Sequence, residues 1–103
     1  MGAVVRDTVE RVCALLGNVT PDDIMGRSRV YRIAVARQLV MWHLVRNIGM
    51  TYMEAGEAMG KNHATVMYSV RQIENIIALG RAYDRKVCEA ALQLKRESDE
   101  RED

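Results

Sequence analysis

Apolar residues recur at helical spacing through most of this chain, and each run ends at or near a glycine. The first run places Val5, Val9, Val12 and Leu16 on one helix face and is followed by Gly17. The later runs stop near Gly26, Gly49, Gly60 and Gly80. This spacing is typical of amphipathic helices, and glycine commonly lies just past a helix end. Strand signals are weak, because alternation and Asn-Gly or Asp-Gly turns are missing. The sequence therefore predicts an all-α fold of five to six helices.

The size and composition of the chain limit it to one small domain. Its 103 residues are 49% apolar, which is enough for a core without metal or disulfides. No run of about eighteen apolar residues exists, so no transmembrane helix is expected. The N-terminal segment carries acids in its first turns and lacks the apolar region of a signal peptide. Cys13 and Cys88 are far apart in sequence, so we expect reduced thiols in a cytoplasmic protein.

Capping residues predict the second helix, and apolar residues at helical spacing predict the third. Thr20 precedes Pro21 and two acids, a pattern typical of a helix start, and this short helix should end at Gly26. Residues 27–33 are then expected to form a basic loop. The third helix is predicted from about residue 34 to 47, and its inward-facing residues include Leu39, Trp42 and Val45.

Two further helices follow in quick succession. Thr51 and Glu54 have the spacing of a capping box, which predicts a short fourth helix ending at Met59 and Gly60. Asn62 can cap the fifth helix. The predicted inward residues of this fifth helix are Val66, Val70, Ile73 and Ile77.

The last segment carries one more apolar stripe. Its members are Tyr83, Val87, Ala91 and Leu94. We interpret residues 1–80 as the main domain and residues 81–103 as a helical extension, whose acidic end from Glu97 to Asp103 should fray in solvent. The stripe could join two copies of the chain in a homodimer.

The fourth and fifth helices, with the turn at Gly60 and Lys61, are a helix-turn-helix candidate. In this motif the first residues of the second helix meet base edges in the major groove. Asn62 could pair with adenine, His63 could donate to a base acceptor, the Ala64 methyl could touch a thymine methyl, and Thr65 could bond a phosphate. A purely structural alternative stays open, in which Asn62 is only a helix cap and His63 only a surface residue.

Positive charge is concentrated in the second quarter of the chain. Residues 24–46 contain five arginines and no acid, although the net charge of the chain is only +1. These arginines are Arg27, Arg29, Arg32, Arg37 and Arg46. Solvated helix faces usually mix both signs of charge, so this segment indicates a polyanion-binding surface. Lys61 and Arg71 add positive charge to the helix-turn-helix.

Other motifs indicate no catalysis. Residues 56–62 resemble a phosphate-binding loop only faintly, because the spacing is one residue short and Asn62 stands where Ser or Thr is needed. The two histidines and two cysteines lack the spacing of zinc ligands. The seven methionines are expected to fill the core. We therefore predict no enzymatic activity, no metal, no cofactor and no bound nucleotide.

From about Val4 to Leu79 the chain resembles the C-terminal DNA-binding domain of the bacterial replication initiator DnaA. The matching runs, in order, are V-T-P-D-D-I-M-G-R-S-R, A-R-Q-L-V-M-W-H-L, T-Y-M-E-A-G-E-A-M-G and G-K-N-H-A-T-V-M-Y-S-V-R-Q-I. The resemblance implies an all-α fold like that of Trp repressor and binding to a short duplex box. It does not extend to the ATPase and partner-loading domains of the family.

The resemblance also implies residue roles. Arg29 lies at the position of the family's minor-groove arginine, whereas Arg37, Gln38 and Thr65 lie at phosphate-contacting positions. The base-reading positions in the major groove fall on Asn62, His63 and Ala64. The family commonly has Asp before the His and Ser or Thr after it, and Asn62 and Ala64 depart from this pattern at base-reading positions.

The sequence thus predicts a sequence-specific binder of double-stranded DNA in the bacterial cytoplasm, associated with the nucleoid. It could act at initiator boxes as a competitor or as a transcriptional regulator, without ATPase activity. The alternative is a protein-interaction module that keeps the fold, has little specific DNA binding, and dimerises through the Tyr83–Leu94 stripe.

Overall fold

A computed structural model of the protein describes residues 2–101, which fold into six α-helices without any strand. The helices are α1 (Ala3–Leu16), α2 (Pro21–Met25), α3 (Tyr31–Arg46), α4 (Tyr52–Met59), α5 (His63–Leu79) and α6 (Arg85–Arg101). A single 3₁₀ turn, Ala82–Asp84, joins α5 to α6. The prediction of an all-α fold with five to six helices is confirmed. None of the helices in this described part is long and apolar enough to cross a membrane.

Helix α3 lies at the centre of the molecule, and each of the other five helices contacts it. Its side chains at Ala36, Leu39, Val40 and Leu44 have no exposed surface. Full burial of one leucine or valine side chain contributes about 1.5–3 kcal/mol, so the interior of α3 supplies much of the driving force for folding. The predicted stripe of α1, from Val5 to Leu16, packs into the same core.

The predicted helix starts of α2 and α4 are confirmed in atomic detail. The Thr20 hydroxyl accepts a hydrogen bond from the Asp23 amide at 3.1 Å, and the Asp23 carboxylate accepts one from the Thr20 amide at 3.0 Å. Thr51 and Glu54 form the same reciprocal pair at 3.0 and 2.9 Å. The bond from the Thr51 amide also holds the pKa of Glu54 below its usual value. Each pair satisfies amides that a helix start leaves free.

The predicted start of the third helix is wrong by three residues. Helix α3 begins at Tyr31 and not at about Ala34, so the basic loop is only residues 26–30. Val30 precedes the helix without a side-chain cap, and its carbonyl accepts from the Ile33 and Ala34 amides. Burial of Ile33 in the core and a 2.8 Å bond from the Tyr31 hydroxyl to Asp84 stabilise this first turn. Both are tertiary contacts that a search for capping residues misses.

One predicted inward residue of α5 is also wrong. Val66, Val70 and Ile73 are fully buried as expected, but Ile77 is 41% exposed and Ile76 is buried instead. Positions three and four residues after Ile73 are both compatible with a helical stripe. The packing of α6 against α5 buries Ile76, the position three residues after Ile73. At this contact the Cys88 thiol lies 3.7 Å from the Ile76 carbonyl oxygen.

Helix α6 packs into the same core as the rest of the chain. Ala91 and Leu94 are each 2% exposed, so the predicted dimer surface is wrong for these two residues, while Tyr83 is 70% exposed. Residues 97–101 form the end of α6, and the fraying of this end in solvent stays a prediction. Glu102 and Asp103 lie outside the described residues. The division of the chain at residue 80 stays a prediction, but α6 completes a core that α1, α3 and α5 share.

Two polar contacts hold the second half of α6. The Arg11 guanidinium on α1 forms an ion pair with the Glu97 carboxylate, with Nε–O distances of 3.0 and 3.1 Å. This pairing lowers the pKa of Glu97 to about 2. At the next residue, the Ser98 hydroxyl donates to the carbonyl of Asn47 at 3.2 Å. These contacts anchor the C-terminal helix to α1 and to the end of α3.

Candidate nucleic-acid interface

The turn between α4 and α5 is built around two glycines. Gly60 ends α4 with a left-handed backbone conformation, φ +67°, which residues other than glycine rarely adopt. The chain then folds back so closely that the Lys61 amide donates to the Gly56 carbonyl at 2.8 Å. A Cβ atom added to Gly56 would lie only 2.5 Å from the Lys61 carbonyl oxygen. This close approach holds the two helices in the tight arrangement of a helix-turn-helix.

Asn62 caps α5, as the sequence predicts. Its Oδ1 accepts a hydrogen bond from the Thr65 amide at 3.0 Å, so this oxygen is directed toward the helix. The predicted bidentate pairing with adenine needs both Oδ1 and Nδ2 of the amide. With Oδ1 engaged in the cap, the group that Asn62 can offer to a base is the Nδ2 donor. The base-reading role stays a prediction, but its chemistry changes from a donor–acceptor pair to a single donor.

The first turn of α5 presents polar and small side chains to solvent. His63, Ala64 and Thr65 are all exposed. Directly after them Val66 is fully buried, as is Val70 one turn later. These buried valines fix the helix on the core, because any rotation of α5 would bring them into water. The exposed tip, residues 62–65, is therefore held on a rigid element. The two basic residues predicted to contact DNA from this motif differ in exposure. Lys61 is half-buried and Arg71 is exposed.

The loop between α2 and α3, residues 26–30, carries two exposed arginines, Arg27 and Arg29. Ser28 lies between them and accepts a hydrogen bond from the Val30 amide at 3.2 Å. Within residues 2–101 the ion pairs involve other side chains, so neither guanidinium is neutralised by an acid of this part of the chain. The loop thus offers two positive charges to an external anion.

The other arginines of the acid-free segment have protein partners. Arg32 donates to the Asn18 carbonyl at 3.0 Å. Arg37 donates to three backbone carbonyls, and Arg46 forms a two-bond ion pair with Glu74 of α5 at 2.9 and 3.2 Å. Gln38 is half-buried. Their predicted phosphate contacts remain predictions, but the positive charge that the fold leaves unpaired is smaller than the sequence indicates.

Helix α3 connects the basic loop to the helix-turn-helix. It begins directly after the loop, and it packs against α2, α4 and α5. The two groups of predicted DNA-binding residues, the loop arginines and the α5 tip, therefore rest on one rigid element. In the described residues no three metal-binding side chains come together. A rigid helix tip after a glycine turn, accompanied by a basic loop, is the architecture of a DNA-binding helix-turn-helix domain.

Comparison with known proteins gives the family. The family model for the bacterial DnaA protein helix-turn-helix matches residues 6–73, and the chain belongs to this family. The match includes α2–α4, the turn and most of α5, and it ends before α6. The prediction of a DnaA-like domain, made from four sequence runs, is confirmed.

Individual relatives agree with this assignment. The chain is 36% identical over 77 residues to the chromosomal replication initiator protein DnaA of Kosmotoga olearia, an alignment that covers 75% of this chain and 16% of that protein. It is 32% identical to DnaA of a Picosynechococcus species, covering 69% of this chain and 16% of the relative. For DnaA 1 of Chlamydia muridarum the identity is 31%, covering 63% and 14%. The chain thus spans less than a fifth of the length of these relatives.

Proposed function

We propose that this protein binds double-stranded DNA sequence-specifically, at short boxes like those that replication initiators recognise. The observation that carries this proposal is the exposed tip of α5, residues 62–65, on a helix-turn-helix of the DnaA family. Side chains at this place in the motif reach base edges in the major groove. In this arrangement Asn62 and His63 donate to base acceptors, the Ala64 methyl meets a thymine methyl, and Thr65 bonds a phosphate.

The basic loop supplies the second contact. Arg27 and Arg29 are exposed, and the ion pairs within residues 2–101 leave them unneutralised, so they can enter a minor groove, where a narrow A·T tract concentrates negative potential. Lys61 directly precedes the helix tip and Arg71 lies further along α5, and both bind phosphates. With roughly 4–6 phosphates neutralised, the slope of log K against log salt is about −4 to −5.

The biological role that fits this binding is occupancy of initiator boxes. The relatives are named chromosomal replication initiator proteins, and the matched region is their helix-turn-helix. Bound at such boxes, the protein competes with an initiator or regulates transcription, without hydrolysing ATP. Association with the bacterial nucleoid follows from DNA binding of this kind.

Selection from a random duplex pool tests the proposal most directly. We expect an enriched box, and a fluorescence-anisotropy titration on that box with the salt slope given above. Arg29→Ala should weaken binding by about tenfold, mostly on boxes with A·T-rich flanks. Arg96→Ala is the matched control, because Arg96 is an exposed arginine that belongs to α6 and not to the loop or to α5.

The absence of any enriched box, together with binding that does not depend on salt, would overturn this function and favour the alternative of a protein-interaction module. Equal behaviour of the Arg29→Ala and Arg96→Ala proteins on every duplex would instead exclude the contact proposed for the basic loop. Burial of Ala91 and Leu94 removes two of the four residues of the stripe on which that alternative depends, so we do not adopt it.

A further inference from the structure

Arg37 on α3 directs its guanidinium group at the protein backbone. Its Nε donates to the Ile24 carbonyl at 2.7 Å, its Nη2 to the Asp23 carbonyl at 3.0 Å, and its Nη1 to the Ser28 carbonyl at 3.1 Å. The side chain is half-buried. The three nitrogens of one planar fork therefore each have a main-chain partner.

The three carbonyls belong to the segment that leads into the basic loop. Asp23 and Ile24 lie in the last turn of α2, where carbonyls lack partners within the helix, although the Asp23 carbonyl also accepts from the Gly26 amide at 3.3 Å. Ser28 lies between the two exposed arginines, Arg27 and Arg29. Arg37 thus closes the end of α2 and fixes the middle of the loop with a single side chain.

The loop has little else to hold it. Helix α2 has only five residues, and helices of this length are unstable without tertiary contacts. Val30, the apolar residue of the loop, is 54% exposed and so adds little burial. Among residues 26–30, the described hydrogen bonds from elsewhere in the tertiary structure come from Arg37. The loop geometry therefore depends on this one guanidinium.

We propose that Arg37 is a positioning residue, which holds the basic loop so that Arg27 and Arg29 are presented to DNA. The inference rests on the proposed DNA binding. It differs from the phosphate contact that resemblance implies for this position, because a fork with three carbonyl partners acts through the loop. Only arginine can form this fork, since lysine offers one compact ammonium group.

The substitution Arg37→Lys separates the two roles. Lysine keeps the positive charge, so a phosphate contact would survive, but it cannot reach three carbonyls at once. We expect Arg37→Lys to weaken binding to the selected box by about tenfold. In the Arg37→Lys background, Arg29→Ala should then cost less than about threefold, because the loop is already displaced. Arg71→Ala, on α5, should keep its full effect in both backgrounds.

Additive effects of Arg29→Ala and Arg37→Lys would overturn the positioning role, as would near-normal binding by Arg37→Lys. Arg37→Met, which keeps an unbranched apolar stem, repeats the cycle without the charge and should reduce the effect of Arg29→Ala in the same way. Circular dichroism checks that each variant is folded.

A measurement without DNA keeps this inference separate from the proposed function. Backbone amide order parameters by NMR should fall at residues 27–30 in Arg37→Lys while those of α3 and α5 stay unchanged. Unchanged order in the loop would refute the inference even if the protein binds DNA. A loop that loosens in a protein without DNA affinity would instead refute the proposed function alone.

Discussion

At the residue scale, arginines of one acid-free segment have three different environments. Arg29 is exposed in the loop, Arg37 is bound to backbone carbonyls, and Arg46 is paired with Glu74. Their charges are equal, and nothing in their local sequence distinguishes them. The difference arises from partners elsewhere in the chain: Glu74 is 28 residues away from Arg46. An estimate of the polyanion-binding surface from composition alone therefore includes arginines that are already bound to other groups of the folded protein.

Asn62 gives a prediction at the same scale. Because Oδ1 accepts from the Thr65 amide, the outward group is the Nδ2 donor. In Asn62→Asp one carboxylate oxygen can keep the cap while the other faces the groove as an acceptor. We expect the selected base at one position to change from one that offers an acceptor, such as guanine, to one that offers an amino group, cytosine or adenine. The preference should change by roughly fivefold in parallel duplex selections.

Asn62→Ser is the control for this change. Serine also caps a helix but leaves no group pointing outward, so the preference at that position should disappear without being replaced. If Asn62→Asp selects the same base as the wild-type protein, Asn62 has no part in base recognition.

At the element scale, the helix-turn-helix depends on a glycine inside α4. Gly56 is buried within that helix, where alanine would normally be favoured by about 1 kcal/mol. The fold requires glycine because the turn passes over this position, with the Asn62 carbonyl carbon and the His63 amide 3.4 and 3.5 Å from a built Cβ. The close approach of the two backbone segments here outweighs the higher helix propensity of alanine relative to glycine.

We therefore predict that Gly56→Ala destabilises the protein. The added methyl would press on the Lys61 carbonyl, which is backbone and cannot rotate away, at an overpacking cost of about 1–3 kcal/mol. Urea unfolding should show a lower midpoint, and binding to the selected box should weaken further because the α5 tip moves. Gly2→Ala is the control, since a Cβ at Gly2 meets no atom within 4 Å. Equal stability of the two variants would contradict the packing of this turn.

At the scale of the whole molecule, α6 closes the core over α1 and α3. Leu94 fills the interior, while the Arg11–Glu97 ion pair holds the outside of the contact. His43 of α3 is buried at the same junction, where the Asn47 side-chain amide donates to its Nδ1 at 2.9 Å. The charged residues that line a cavity together with His43 are Asp7, Arg11, Glu97 and Arg101. Burial lowers the pKa of His43, Arg101 lowers it further, and Glu97 opposes the shift.

This histidine predicts a pH dependence of stability. The folded protein disfavours His43 protonation, so the unfolded chain binds more protons at low pH. The free energy of unfolding therefore decreases as the pH is lowered. The loss should begin as pH drops below about 6.5, the usual histidine value, and end below the lowered pKa. Thermal melts of His43→Gln should lack this step, whereas melts of His63→Gln, with an exposed site, should retain it. A step that persists in His43→Gln would assign it to another group.

Local sequence was enough to predict much of this fold and the position of its candidate site. The capping pairs at Thr20 and Thr51, the cap at Asn62 and the stop at Gly60 all join residues within four positions of one another. Such contacts depend on side chains that are neighbours in the chain, so the sequence contains their full description. The helix-turn-helix and its exposed tip follow from them.

Only the tertiary structure decided which faces are inside and which charges are free. The start of α3 depends on Tyr31 meeting Asp84, 53 residues away, and the anchoring of α6 on Arg11 meeting Glu97, 86 residues away. These contacts form only when the core brings distant segments together, and helical periodicity cannot distinguish between adjacent stripes of the same helix. The sequence by itself thus determined the helices and the motif, while packing determined the burial of α6 and the partners of Arg37 and Arg46.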